Sequence, residues 1–174
     1  ELGKKLFYDG RLASDGLVSC GFCHIQEDAF THHGHSLSHG VNDAIGTRNT
    51  PSIQNLAFMK FYNWDGSKLQ LENQPLVPII THEEMDSSIL EVMGKIKDDA
   101  VYKDLFRKAF GDENITPDRI YKSIAQFEYT LISAESKYDK VKRNETSFTE
   151  NELKGELNLE STHQGTQAKL RFPL

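Results

Sequence analysis

No run of about 18 or more apolar residues occurs in this sequence, so no segment reads as a transmembrane helix. Positive charge is not in excess either. Twenty lysines and arginines stand against 26 acids, a formal charge of -6 with a pI near 5.6. Nucleic acid, which needs a basic surface, is therefore excluded as a partner, and a basic patch on a partner protein is easier to accommodate than an acidic one. A secretory leader is missing, and the sequence opens at Glu1 inside what reads as a helix from Leu2 to Tyr8; a mature or trimmed N-terminus explains both. Alternating apolar and polar positions are scarce, so no strand of useful length is expected. Cysteine is nearly absent, and the two present, Cys20 and Cys23, lie three positions apart. A disulfide at that spacing would close almost no loop and stabilise little, so their value is chemical.

What is present is polar and helical. The 174 residues are 37% hydrophobic, with a mean hydropathy of -0.55, enough for one domain with its own core or one domain and part of another. The first 80 or so residues are loop-rich. Helical spacing then takes over: Ile89, Val92, Met93 and Ile96 make one face, and Tyr102, Leu105, Phe106, Ala109 and Phe110 a second. Thr116 before Pro117 reads as an N-cap with proline at the first helical position, and Ile120, Ile124, Phe127 and Leu131 carry that helix onward. Thr149 and Glu152 form a capping box that opens another helix. The expected class is mainly α. Residues 1–134 form the main domain, the charged stretch 135–148 a linker, and 149–174 part of a second unit.

Cys20-Gly21-Phe22-Cys23-His24 is the C-x-x-C-H pattern of covalent haem attachment. Two thiols one helical turn apart can add to the two vinyl groups of a porphyrin edge, and the next residue offers its imidazole to the iron. A thioredoxin-like reading needs a βαβ setting that the pattern does not supply. Zinc could join Cys20 and Cys23 to two of His32, His33, His35 and His39, but the interval is shorter than in usual fingers and leaves His24 a coincidence.

Further motifs stand in order around that pattern: Leu2-Gly3-Lys4-Lys5-Leu6-Phe7-Tyr8-Asp9-Gly10-Arg11-Leu12, Gly46-Thr47-Arg48-Asn49-Thr50-Pro51 with Asn55, Trp64-Asp65-Gly66, and Glu84-Met85. From Leu2 to about Leu157 the sequence resembles the N-terminal, peroxidatic haem domain of the bacterial di-haem cytochrome c peroxidases, a pattern shared with related enzymes that oxidise protein side chains. The resemblance implies a cytochrome-c-like fold and haem c on Cys20 and Cys23, with His24 as axial ligand and His39 as a displaceable distal ligand. It implies Glu84 and Gln74 as the distal carboxylate and amide, Trp64 as an electron relay, and Asn49 as an oxygen donor to calcium. His32, His33 and His35 are rivals of His39 by sequence alone, and Asn49 is equally well read as a turn former.

The implied activity is reduction of hydrogen peroxide to water in the periplasm, with electrons from a small donor such as a cytochrome c or a cupredoxin. Homodimeric assembly is among the resemblance's implications. An enzyme oxidising a protein side chain, or a mono-haem electron carrier, are the alternatives. The family needs two haems, yet only one C-x-x-C-H is present. After Phe148 to Leu157, which resembles the start of the second haem domain, Gly165 to Leu174 resembles a stretch from well downstream. The expectation is therefore a longer natural polypeptide, with an apolar patch exposed near Trp64 and near a helix ending at Leu131.

Overall fold

In a computed structural model, the described residues are 1–32, 34, 36–153, 156–162 and 165–171, the last two segments as backbone only. They form two units, residues 1–132 and 133–174. The first contains α1 (Leu2–Tyr8), α2 (Cys20–Cys23), α3 (Leu76–Ile80), α4 (Ile89–Ile96), α5 (Ala100–Phe110) and α6 (Pro117–Glu128), joined through the loop-rich half by short 3-10 turns. The mainly α expectation holds.

The helices start and stop where local chemistry tells them to. Ser88 and Glu91 form a reciprocal capping box on α4, and Asp99 accepts from the Val101 and Tyr102 amides at the head of α5. Thr116 caps α6 with Pro117 in its first turn, and Gly111 ends α5 in the left-handed region at φ 87°. Leu6 and Phe7 of α1, Val92 and Ile96 of α4, Tyr102 and Phe106 of α5, and Ile120 and Ile124 of α6 are buried together as the core. Helices α1 and α6 cross closely because Gly3 has no side chain: a Cβ there would overlap the Ser123 carbonyl. α6 ends at Glu128, before the expected Leu131, because the last carbonyls are taken up by a turn in which the Leu131 amide donates to Glu128.

In the second unit, α7 (Lys137–Lys142) lies inside the stretch expected to be a linker. The reason is local: Ser136 and Asp139 make a capping box, a signal masked in the sequence by the density of charge. α8 (Glu150–Leu153) begins at the foreseen box, with the Thr149 amide donating to Glu152 at 2.7 Å. Contrary to the expectation of no useful strand, β1 (Glu156–Thr162) and β2 (Gly165–Arg171) pair antiparallel, Glu156 opposite Arg171 and Thr162 opposite Gly165. That register sets Leu157 opposite Leu170 and Leu159 opposite Ala168, a short alternation too brief to stand out along the sequence.

A buried polar knot ties the first unit together across 93 positions. The Tyr102 hydroxyl donates to Asp9 Oδ2 at 2.8 Å, and the Arg11 guanidinium donates to both Asp9 oxygens. Desolvation pushes the Asp9 carboxyl up, but hydrogen bonds from Arg11 and Tyr102 more than offset it, and the net shift is downward. A lowered folded pKa adds stability that is present above the ordinary value of 3.8 and is lost as pH falls through the folded value. Tyr102→Phe should therefore cost about 1.5–3 kcal/mol at neutral pH, measured by urea unfolding, and less as the pH drops below that range. An unchanged midpoint at pH 7 would contradict this account of the knot.

Candidate haem-binding site

The two thiols sit on the single turn of α2, and both cysteines are free. Burial holds both thiols in the neutral form. Cys23 is pushed up to about 11 by burial and then by the Glu84 charge, and Cys20 is raised further by burial, then by Glu128, Cys23 and Glu84. His24 follows as the C-cap of α2, and its Nδ1 lies 2.9 Å from the Phe30 carbonyl. A carbonyl can only accept, so Nδ1 carries the proton in that bond. Burial lowers the imidazole pKa, against the Phe30 and Pro51 carbonyls that favour the charged ring, which keeps it neutral at pH 7. A neutral imidazole oriented by a backbone carbonyl is a good metal ligand.

Residue 39 is brought to the thiols by the backbone. Cys23 Sγ donates to the His39 carbonyl at 3.2 Å, and His39 bridges Ile45. The His39 ring stacks on His32, with centroids 6.0 Å apart. Directly after it, Gly40 is buried against the 83–84 backbone, and a Cβ there would overlap the Glu83 and Glu84 carbonyl oxygens. The Val41 amide donates to the Glu84 carbonyl at 2.8 Å and completes the junction. Glu84 is thus fixed beside the His39 segment, half-buried, with its carboxyl raised by desolvation and then by Glu83. Gln74 lies half-buried one residue before Pro75, at the head of the α3 segment whose far end leads through Thr81 to Glu84.

Trp64 and Asn49 belong to a different corner. The Trp64 indole donates to the Asn49 carbonyl at 2.7 Å, and Arg48 pairs with Asp65 at 3.2 Å, so the two motifs dock on each other. Trp64 is 62% exposed, which removes core packing within this unit as its role. Phe58, Met59, Phe61 and Leu69 are exposed in the same stretch of sequence as Trp64. The Asn49 amide donates to the Ser36 carbonyl at 3.4 Å. Among the described residues no cluster of three His, Cys, Asp or Glu could hold a metal ion, so the zinc alternative has no support from them; His33 and His35 lie outside the described residues. Sequence reasoning passed over Glu128, a buried acid whose spacing of four from Ile124 and eight from Ile120 puts it on the buried face of α6.

The donor set therefore fits haem c: two thiols on one helical turn followed directly by an imidazole that burial keeps toward its neutral form. The family model described as di-haem cytochrome c peroxidase matches residues 1–147. The chain belongs to that family. It is similar to cytochrome c551 peroxidase of Nitrosomonas europaea, 34% identical over 166 residues that cover 89% of this chain and 46% of that protein. It is comparably similar to methylamine utilization protein MauG of Methylophilus methylotrophus, 32% identical over 155 residues, covering 88% and 46% respectively. Among solved structures, a MauG-like protein associated with microbial copper homeostasis superposes with a TM-score of 0.79 at 35% identity, covering 87% of this chain and 45% of that one. The chain spans a little under half the length of these relatives.

The Gly40 contact yields a direct test. Gly40→Ala must push the 39–41 segment off the Glu83–Glu84 backbone, an overpacking cost of about 1–3 kcal/mol in chemical unfolding. A midpoint equal to wild type would show that the junction is not as close as the geometry states.

Proposed function

We propose that this chain is the peroxide-reducing haem domain of a periplasmic di-haem cytochrome c peroxidase, which takes two electrons from a small redox protein and converts hydrogen peroxide and two protons to two waters. The observation that carries the reading is the Gly40 junction, which holds a raised, half-buried Glu84 carboxyl beside the His39 segment and the thiol pair. Cys20 and Cys23 would hold haem c covalently and His24 would ligate its iron; when bound, the haem supplies the redox chemistry. His39 would be a second, displaceable ligand to the haem, its backbone held by the Cys23 thiol. Glu84 would take a proton from one oxygen of hydrogen peroxide and deliver a proton to the other as the O–O bond breaks, while the donor's two electrons and two protons from solvent complete both oxygens as water. Burial suits it to that work by bringing its pKa closer to neutral. Gln74 orients peroxide by hydrogen bonding and moves no proton itself.

Trp64, exposed and anchored through its indole nitrogen, is the relay toward a second haem in the complete protein. Asn49 would give calcium one oxygen; in the absence of an acidic cluster among the described residues, further donors would be carbonyls or lie outside them. No helix among the described residues is long and apolar enough to cross a membrane, which is compatible with a periplasmic domain. A second reading, oxidation of a protein side chain, draws on the comparable identity to proteins named MauG and on the exposure of Trp64. A mono-haem carrier is disfavoured, since it has no use for a raised carboxyl at this place.

Two variants test the reading. In the complete, active protein, Glu84→Gln should lower peroxide turnover by about 10²–10⁴-fold with haem content unchanged. Turnover within about twofold of wild type would return Glu84 to a surface role. His39→Ala should turn a low-spin ferric spectrum partly high-spin, and an unchanged low-spin spectrum would remove His39 as ligand.

A further inference from the structure

Helix α6 ends on a carboxyl that the proposed proton transfer does not use. Glu128 is 5% exposed, and its Oε2 is buried without a hydrogen-bond partner. That oxygen has lost its hydration without a hydrogen bond in exchange, which favours the neutral acid. Burial alone pushes it up to about 8. Its place in the fold is specific: apart from burial, Glu128 is the largest influence on the Cys20 thiol, ahead of Cys23 and Glu84. The elements packed on α6 carry Lys4, Lys5 and Tyr8 on α1 and Glu72 in the 71–73 turn, with Tyr129 adjoining. None of these contributes to the shift of Glu128.

We propose that Glu128 is a redox-linked proton site, taking up one proton when the haem carried by Cys20 gains one electron and releasing it on oxidation. The inference rests on the haem reading given above. The electron comes from the donor protein and the proton from solvent; iron goes from ferric to ferrous while the Glu128 carboxylate becomes the neutral acid, so charge balances inside the buried site. The physical cause is that an ionised, unpaired carboxylate in low dielectric is stabilised by the extra positive charge of the oxidised haem and loses that support on reduction. Linkage is reciprocal, so the carboxylate in turn favours the oxidised haem, and the reduction potential must fall as pH rises through the range of Glu128.

The test is a spectroelectrochemical titration of the haem-loaded chain at a series of pH values. Between about pH 6 and pH 10, the reduction equilibrium of the wild-type protein should fall by roughly tenfold or more, ~59 mV per decade for one electron. Glu128→Gln should flatten that dependence, while Glu84→Gln should retain it. A Glu128→Gln protein with the wild-type slope overturns the proposal. A second measurement needs no variant at position 128: at pH 8, the infrared difference between reduced and oxidised protein should gain a buried carboxylic-acid carbonyl band on reduction, also in Glu84→Gln. Absence of that band overturns the proposal as well. A chain with no covalently held haem to titrate would overturn the haem reading itself, whereas a haem-loaded chain with a flat wild-type potential overturns only the role of Glu128.

Discussion

Position 40 has room for no side chain, and the arrangement of the site follows from that. The carbonyl oxygens of residues 83 and 84 occupy the space where a Cβ would stand. Because the two backbone segments touch, the histidine before Gly40 and the acid at 84 are brought side by side in the fold. The Val41 amide closes the contact by donating to the Glu84 carbonyl, and the Cys23 thiol reaches the His39 carbonyl from α2. Three segments far apart in sequence thus meet mainly at backbone atoms, with one thiol donating to a carbonyl. Such contacts hold geometry better than a loop secured only by side chains, and positioning within a fraction of an ångström is what a proton relay needs.

Burial then sets the charge state of each member. The same desolvation that raises Cys20, Cys23, Glu84 and Glu128 lowers His24, so every group moves toward its neutral form. A neutral imidazole with its Nδ1 proton committed to Phe30 can act only through Nε2. The two acids divide the surroundings of the thiol pair: Glu84 beside the His39 segment, Glu128 at the end of α6. Their environments differ: Glu84 is raised by desolvation and by the neighbouring Glu83, Glu128 by burial alone.

Much of this was legible in the sequence, and the part that was not has identifiable causes. The turn carrying Cys20 and Cys23, the Thr116–Pro117 helix start and the Thr149–Glu152 box are local patterns, each complete within a few residues. The association of His39 with Glu84 rests on contacts between residues more than 40 positions apart, and only the family resemblance indicated it. The Asp9–Tyr102 knot, 93 positions long, gave no local sign. Glu128 was passed over because glutamate in a helix is ordinarily solvated, although its register with Ile120 and Ile124 marks the buried face. α7 was obscured by charge, and the β1–β2 pair by strands whose alternation covers only two apolar positions each.

Every role assigned to His24, His39, Glu84 and Glu128 depends on covalent haem at the Cys20–Cys23 turn. The most direct measurement is the alkaline pyridine spectrum of the protein expressed with cytochrome c maturation machinery, taken after denaturation and acid-acetone extraction. Haem with both vinyl groups saturated by thioethers, retained on the polypeptide at one per chain, is the result predicted for this sequence. Haem that extracts freely with its vinyl groups intact, or zinc at one per chain in its place, would contradict it.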